Sequence, residues 1–246
     1  MALSWKDKVT RNFDTQAHMY DQYGDVQAHV ADSLARDLPC FENAAILETG
    51  CGTGFLTGHL ARKYAGHQLH ITDVSPRMLE QAKSRFSGRE ARFFILDAEK
   101  EQTGETYDLI TASMVCQWFE DLEDGLNNLK SMLKPGGTFY FSLPGPDCFK
   151  EWRSTLDQLG LHSGMPDFSY PEGIYREEKI KKSYQISWDF LSSLKNMGAS
   201  CGRKNYTPLT LSEIRASCNT FDSQNFKHVT WHILYGCITR CINDKE

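Results

Sequence analysis

The stretch ILETGCGTGFL, Ile46 to Leu56, decides the fold. An apolar run ends in an acid, Glu48, and glycine then takes every second position, at Gly50, Gly52 and Gly54. Glycine after a buried parallel strand lets the backbone turn sharply and lets a ligand come closer than any Cβ would permit. The loop is therefore expected to face a ligand. A dinucleotide loop of the form GxGxxG would need a small residue at position 55, and that residue is Phe55.

Outward from the loop the chain alternates. AAILETG reads as a strand, FLTGHLARKY as the helix after it, and QLHITDVS as a second strand. SPRMLEQAKSRF opens with Ser75 at the N-cap and Pro76 at the first helical position, a well-formed helix start. ARFFILDAE and YDLITASMVCQW read as strands three and four, DLEDGLNNLKSMLKPGG as a helix stopped by Pro135 and Gly136, and TFYFSLPG as strand five. Strands separated by single helices need right-handed crossovers, so the class is α/β, a mostly parallel sheet with helices on both faces. Upstream, residues 4–38 carry helical periodicity in two parts, with Phe13, Ala17 and Tyr20 on one face and Val26, Val30 and Leu34 on another. Beyond Pro144 the rhythm breaks. Residues 145–180 are rich in aromatics and turn formers without an obvious strand, which predicts a helical lid insertion over one end of the sheet. SYQISWDF then reads as a strand, DFLSSLKNMGA and LTLSEIRASCNTF as helices, and HVTWHILYGCITR as the final strand. The organisation predicted is a single domain over 1–246: an N-terminal helical cap (1–40), a ligand-binding core (41–144), a lid (145–180) and a segment completing the sheet (181–246).

A chain of 246 residues with a formal net charge of -5 does not have the clustered Lys and Arg of a nucleic-acid binder. The N-terminal MALSWKDKVTRNF has no apolar core or cleavage site, and no apolar run approaches a membrane span, which predicts a cytoplasmic protein. The eight cysteines are scattered, without CxxC or Cys/His spacing, so no metal site is expected. Cys51, inside the glycine loop, reads as a small side chain packed beneath it.

The spacing E-x-G-x-G-x-G, Glu48 to Gly54, resembles the first motif of class I S-adenosylmethionine-dependent methyltransferases. That resemblance implies a Rossmann-like, seven-stranded sheet, S-adenosylmethionine as methyl donor and S-adenosylhomocysteine as product. Donor chemistry agrees: the molecule carries a sulfonium, an ammonium and a carboxylate but no phosphate, so its site needs acceptors and moderate negative charge. By the resemblance, the loop residues Glu48, Gly50, Cys51, Gly52 and Gly54 approach the methionine part and adenosine. Asp73, ending LHITD, accepts both ribose hydroxyls, as two acceptor oxygens suit a vicinal diol. Asp97 with Ala98 meets the adenine amine, Met78 lines the adenine face, and Gln27, Ser113 and Gln117 complete the cofactor set.

One fold hosts many acceptors, so the substrate must come from elsewhere. NFDTQAHMYDQYGDVQ is similar to the N-terminus of malonyl-[acyl-carrier protein] O-methyltransferases, and the likeness continues through ASMVCQWFEDL, FKEW, DFSYPEGI, FLSSLKNMGA and VTWHILYGCITR. Thr49, Cys51 and the cysteine-rich C-terminal half depart from that pattern. The reaction implied is methylation of the free carboxylate of a malonyl thioester, on carrier protein or coenzyme A, entering biotin synthesis. A carboxylic acid of pKa about 4 is already ionised near pH 7, so no general base is required. Tyr20 is expected to close the cavity and act with Arg153, the candidate carboxylate anchor; Trp118 and Phe168 complete the acceptor site. Carrier proteins are acidic, which implies a basic patch, with Lys179, Lys181, Lys182, Arg203 and Lys204 as candidates and Arg176 beside them. Two alternatives stay open: methylation of a free small carboxylic acid or a ring carbon, and a non-catalytic donor-binding partner of another enzyme.

Overall fold

The computed structural model describes residues 3–166, 168–224 and 228–242. Asp167, inside the quoted DFSYPEGI, and parts of the 1–40 and 181–246 segments lie outside the described residues. Helix α1 (Trp5–Gln16) starts at Ser4, whose hydroxyl accepts the Asp7 amide at 3.0 Å while the Asp7 carboxylate accepts the Ser4 amide. This reciprocal cap satisfies two helix-end donors. A single tight turn at Ala17–Met19 leads into α2 (Tyr20–Tyr23), and Gly24 separates that from α3 (Asp25–Asp37). The cap region thus has three helical pieces where periodicity suggested two; Val26, Val30 and Leu34 are buried as expected.

The core then runs β1 (Ala45–Glu48), α4 (Phe55–Lys63), β2 (Gln68–Asp73), α5 (Pro76–Arg85), β3 (Ala91–Ile95), β4 (Tyr107–Ser113), α6 (Leu122–Ser131) and β5 (Leu133–Pro144). Next come α7 (Lys150–Gln158), β6 (Ile174–Ser183), α8 (Ser187–Asn196), α9 (Leu211–Ser223) and β7 (His228–Thr239). The seven strands lie in the order β3-β2-β1-β4-β5-β7-β6. β1 to β5 pair in parallel, and β7 runs antiparallel to both β5 and β6. Both sheet faces are covered: Ile46 and Leu109 enter one core while their neighbours Leu47 and Ile110 enter the other. Such two-sided burial explains why these strands read as continuous apolar runs. Strand order reverses between β1 and β4, and the crevice beyond their carboxyl ends is where ligands bind in such sheets.

Three expectations need correction. The fourth strand stops at Ser113, and Cys116–Trp118 form a short helical turn. The strand expected in SYQISWDF is instead β6, which lies just upstream and ends at Ser183, so the 145–180 segment contains α7, a loop and most of an edge strand. Charge hid it: of the inward positions of IYREEKIKKS only Ile174 and Ile180 are apolar, while Arg176, Glu178 and Lys182 are satisfied by polar partners. Arg176 pairs with Asp37 and stacks on Tyr235, Glu178 meets His29 and the Tyr235 hydroxyl, and Lys182 pairs with Asp25. Among the described residues no helix is long and apolar enough to cross a membrane.

Candidate active site

β1 ends in the glycine loop, which is pinned at both sides. The Thr49 amide donates to the Thr111 carbonyl of β4 and the Cys51 amide to the Thr72 carbonyl of β2, each at 2.9 Å. Gly50 (φ +62) and Gly52 (φ +55) both adopt left-handed backbone. A Cβ on Gly50 would stand 2.4 Å from the Val115 Cγ2, whereas one on Gly52 would meet nothing closer than the Tyr20 ring at 3.8 Å. Gly50 is therefore required by packing and conformation together, and Gly52 by conformation at an open face.

Two acids flank this loop in different ways. Asp73 Oδ2 accepts the Gly52 amide at 2.8 Å and Oδ1 the Ser75 amide at 2.7 Å, so each oxygen keeps further acceptor capacity for a vicinal diol. Burial pushes its carboxyl up to about 6, against the pull of those amides. Glu48 is buried under the loop, accepts the Thr57 hydroxyl at 2.6 Å, and is pushed up to about 8 by desolvation. The Cys51 thiol is likewise buried and its pKa raised, so it stays protonated. Gly54, at the start of α4, packs against Phe86.

Beyond the loop lie two adjoining chambers. The smaller, about 100 Å³, is lined by Gly50, Gly52, Asp73, Met78, Asp97, Ala98 and Ser113, bringing together most of the cofactor set expected from sequence. Glu48, Cys51 and Gly54 are not among its lining residues. Gln27 and Gln117 line the larger chamber instead. Sequence reasoning missed Lys6, which lines the smaller chamber and joins α1 to two acids after β3 through ion pairs with Asp97, at 2.5 Å, and Glu99. No spacing rule finds a partner 91 residues away.

The larger chamber, about 350 Å³, falls within the usual range for small-molecule sites. Tyr20, Trp118 and Phe168 line it as expected, together with Phe149, Trp152 and Trp231, which sequence reasoning did not single out. Phe13, Tyr20, Met114 and Trp118 belong to both chambers and form their common wall. Phe13 packs edge-on against Trp118 with ring centroids 5.3 Å apart, which stiffens that wall. Burial, with Asp73 and Asp21 nearby, raises the Tyr20 phenol, so it remains a neutral hydrogen-bond donor. Arg153 is not brought to either chamber: it is absent from both linings, and its guanidinium donates to the Pro146 carbonyl. Its place in the 145–180 insertion is what commended it in sequence.

The expected basic patch divides. On β6, Lys179 pairs with Asp147 at 2.7 Å, and Arg176 and Lys182 are paired as described above, so this edge is largely neutralised. Arg203 and Lys204 lie in the loop that supplies Cys201, Gly202 and Tyr206 to the larger chamber, and Lys204 approaches Glu120 at 3.9 Å. Among the described residues no group of His, Cys, Asp or Glu could hold a metal ion.

The donor set of the smaller chamber, a diol-ready carboxylate, bare backbone and a second acid at the far end, fits an adenosine-bearing cation and offers no phosphate cradle. Comparisons with known proteins agree. Residues 47–139 match the model of a family described as a methyltransferase domain. Malonyl-[acyl-carrier protein] O-methyltransferase of Magnetococcus marinus is 34% identical, covering 97% of this chain and 94% of the relative. The biotin biosynthesis bifunctional protein BioCD of Bordetella avium is 32% identical over 93% of this chain, which spans 51% of that longer protein. In fold, the chain is similar to phosphoethanolamine N-methyltransferase 2 of Haemonchus contortus, solved with phosphomonomethylethanolamine and S-adenosylhomocysteine (TM-score 0.55, 15% identity, 96% of this chain and 60% of that one). Near-full-length identity above 30%, on a class I methyltransferase fold with an intact glycine loop, shows that this chain belongs to the malonyl-[acyl-carrier protein] O-methyltransferase family.

Proposed function

We propose that this protein transfers a methyl group from S-adenosylmethionine to the free carboxylate of a malonyl thioester, carried on acyl-carrier protein or coenzyme A, and so serves biotin synthesis in the cytoplasm. The observation that carries the reading is the pair of chambers meeting at one aromatic wall, the smaller suited to the donor and the larger to an acyl group. The donor supplies an electrophilic methyl: the new oxygen–carbon bond forms as the sulfur–carbon bond breaks, leaving a neutral ester and a thioether with no proton moved.

Asp73 holds the ribose diol, while the bare face of the loop at Gly50 and Gly52 admits the methionine part. Lys6 ties α1 across the adenine end, so the N-terminal cap covers the donor. Tyr20 and Trp118, on the common wall, offer neutral donors that aim the carboxylate oxygen at the methyl. The cap of residues 1–40 and the 145–180 segment together keep water from the reacting atoms. Their task is placement, and placement alone is worth many powers of ten in rate. An acceptor that is already ionised needs no general base on this wall. Masking the carboxylate as an ester gives an acyl group that apolar elongation pockets accept.

The test is direct comparison of acceptors. Purified protein with labelled donor should methylate malonyl-carrier protein or malonyl-coenzyme A and leave free diacids untouched. Transfer to free acids alone, with both malonyl thioesters inert, would sink the assignment.

A further inference from the structure

Among the described residues that line the larger chamber there is no Lys, Arg, His, Asp or Glu. The polar side chains among them are neutral, including Tyr20 and Trp118 on the common wall, Gln27 and Gln117, and Trp231. The nearby cations are engaged elsewhere or lie outside. Arg153 donates to the Pro146 carbonyl, Lys6 is held by Asp97 and Glu99 in the other chamber, and Lys8, whose charge reaches Cys201, is exposed to solvent. A carboxylate entering this chamber leaves water for apolar surroundings, which is strongly unfavourable without a partner.

Resting on the function proposed above, we propose that this neutral wall makes the donor's own sulfonium, across the common wall of Phe13, Tyr20, Met114 and Trp118, the counter-ion that admits the acceptor carboxylate. The malonyl group then binds when the donor is charged and is not retained beside the neutral product. Charge accounting explains the arrangement. Methyl transfer cancels the anion and the sulfonium together, so a resident Arg would stabilise the full carboxylate of the ground state more than the fading charge of the transition state, and would raise the barrier. Neutral donors orient the oxygen without that penalty. Because binding linkage is reciprocal, the malonyl group tightens the charged donor by the same factor.

Binding, not turnover, tests this. Malonyl-N-acetylcysteamine would be titrated calorimetrically into the full protein saturated with sinefungin, whose amine carries positive charge near the sulfonium position, and into the protein saturated with S-adenosylhomocysteine. Affinity should be at least about tenfold tighter in the sinefungin complex, the gain expected from one close opposite charge in a partly buried site. The methyl ester of the same thioester, uncharged and nearly isosteric, should bind both complexes within about twofold. Met165→Lys, which adds a cation to the chamber wall, should tighten the S-adenosylhomocysteine complex and shrink the ratio; if that variant fails to fold, the wild-type ratio decides alone. Equal affinity of the malonyl probe in both complexes would overturn the inference, as would an ester showing the same preference, since shape would then be the cause. Wild-type turnover separates the two readings. No methylation of any malonyl thioester removes the proposed function and this inference together, whereas methylation with equal affinities removes this inference alone.

Discussion

Glu48→Gln should make the ligand-free protein more stable, and the gain should depend on pH in one direction. Glu48 is 1% exposed and is pushed from an ordinary 4.5 up to about 8 by burial, with the Thr57 hydroxyl only partly offsetting the loss of water. A carboxyl whose folded value lies above its unfolded value contributes stability that is fully present below about 4.5 and is lost as pH rises through about 8. At pH 7 the folded group is mostly protonated, whereas the unfolded one sits about 2.5 units above its pKa and is ionised. Unfolding therefore gains about 3 kcal/mol from ionisation, at about 1.4 kcal/mol per unit. Glutamine keeps an oxygen for Thr57 and abolishes that gain. Chemical denaturation of both proteins without donor, from pH 5 to 8, should show the variant ahead by about 3 kcal/mol at pH 7, the gap growing by about 1 kcal/mol per pH unit and levelling off as pH passes the folded value of about 8. Groups shared by both proteins, Asp73 included, cancel in the difference. A gap that is flat with pH, or a variant less stable at pH 7, would refute the reasoning. An acid kept where it weakens the empty protein marks a functional site, so the same variant should bind S-adenosylmethionine more weakly.

Gly50→Ala forces a Cβ to 2.4 Å from the stiff Val115 side chain on left-handed backbone, so it should lose about 3 kcal/mol of stability by thermal or chemical denaturation, with donor binding lost too. Wild-type stability with retained donor affinity would mean that the loop relaxes. Tyr20→Phe removes a neutral donor from the common wall and should raise acceptor KM by about tenfold, with the pH profile of kcat unchanged because no proton is taken; a shifted profile would make Tyr20 an acid or base. Arg153→Ala should leave acceptor KM within about twofold, since the half-buried guanidinium donates to the Pro146 carbonyl and lines neither chamber; a tenfold rise would return the anchoring role to it.

The sequence by itself determined the α/β order, because strands buried on both faces must read as apolar runs and helix caps such as Ser75-Pro76 are local. It also located the glycine loop, since left-handed backbone at Gly50 and Gly52 and the acid at Asp73 are demands made within a few residues of a strand end. Family likeness added Tyr20, Trp118 and Phe168, which do line the larger chamber. Only the tertiary structure decided the rest. β6 was hidden because three of its inward positions, Arg176, Glu178 and Lys182, are charged, each satisfied by a partner on α3 or β7 that no local pattern reveals. Lys6 and Trp231 reach the chambers from opposite ends of the chain, and Arg153 turns away through a contact with its own segment. Periodicity encodes which face of an element is buried; which distant side chains share a wall, and whether that wall holds a charge, exists only once the elements pack.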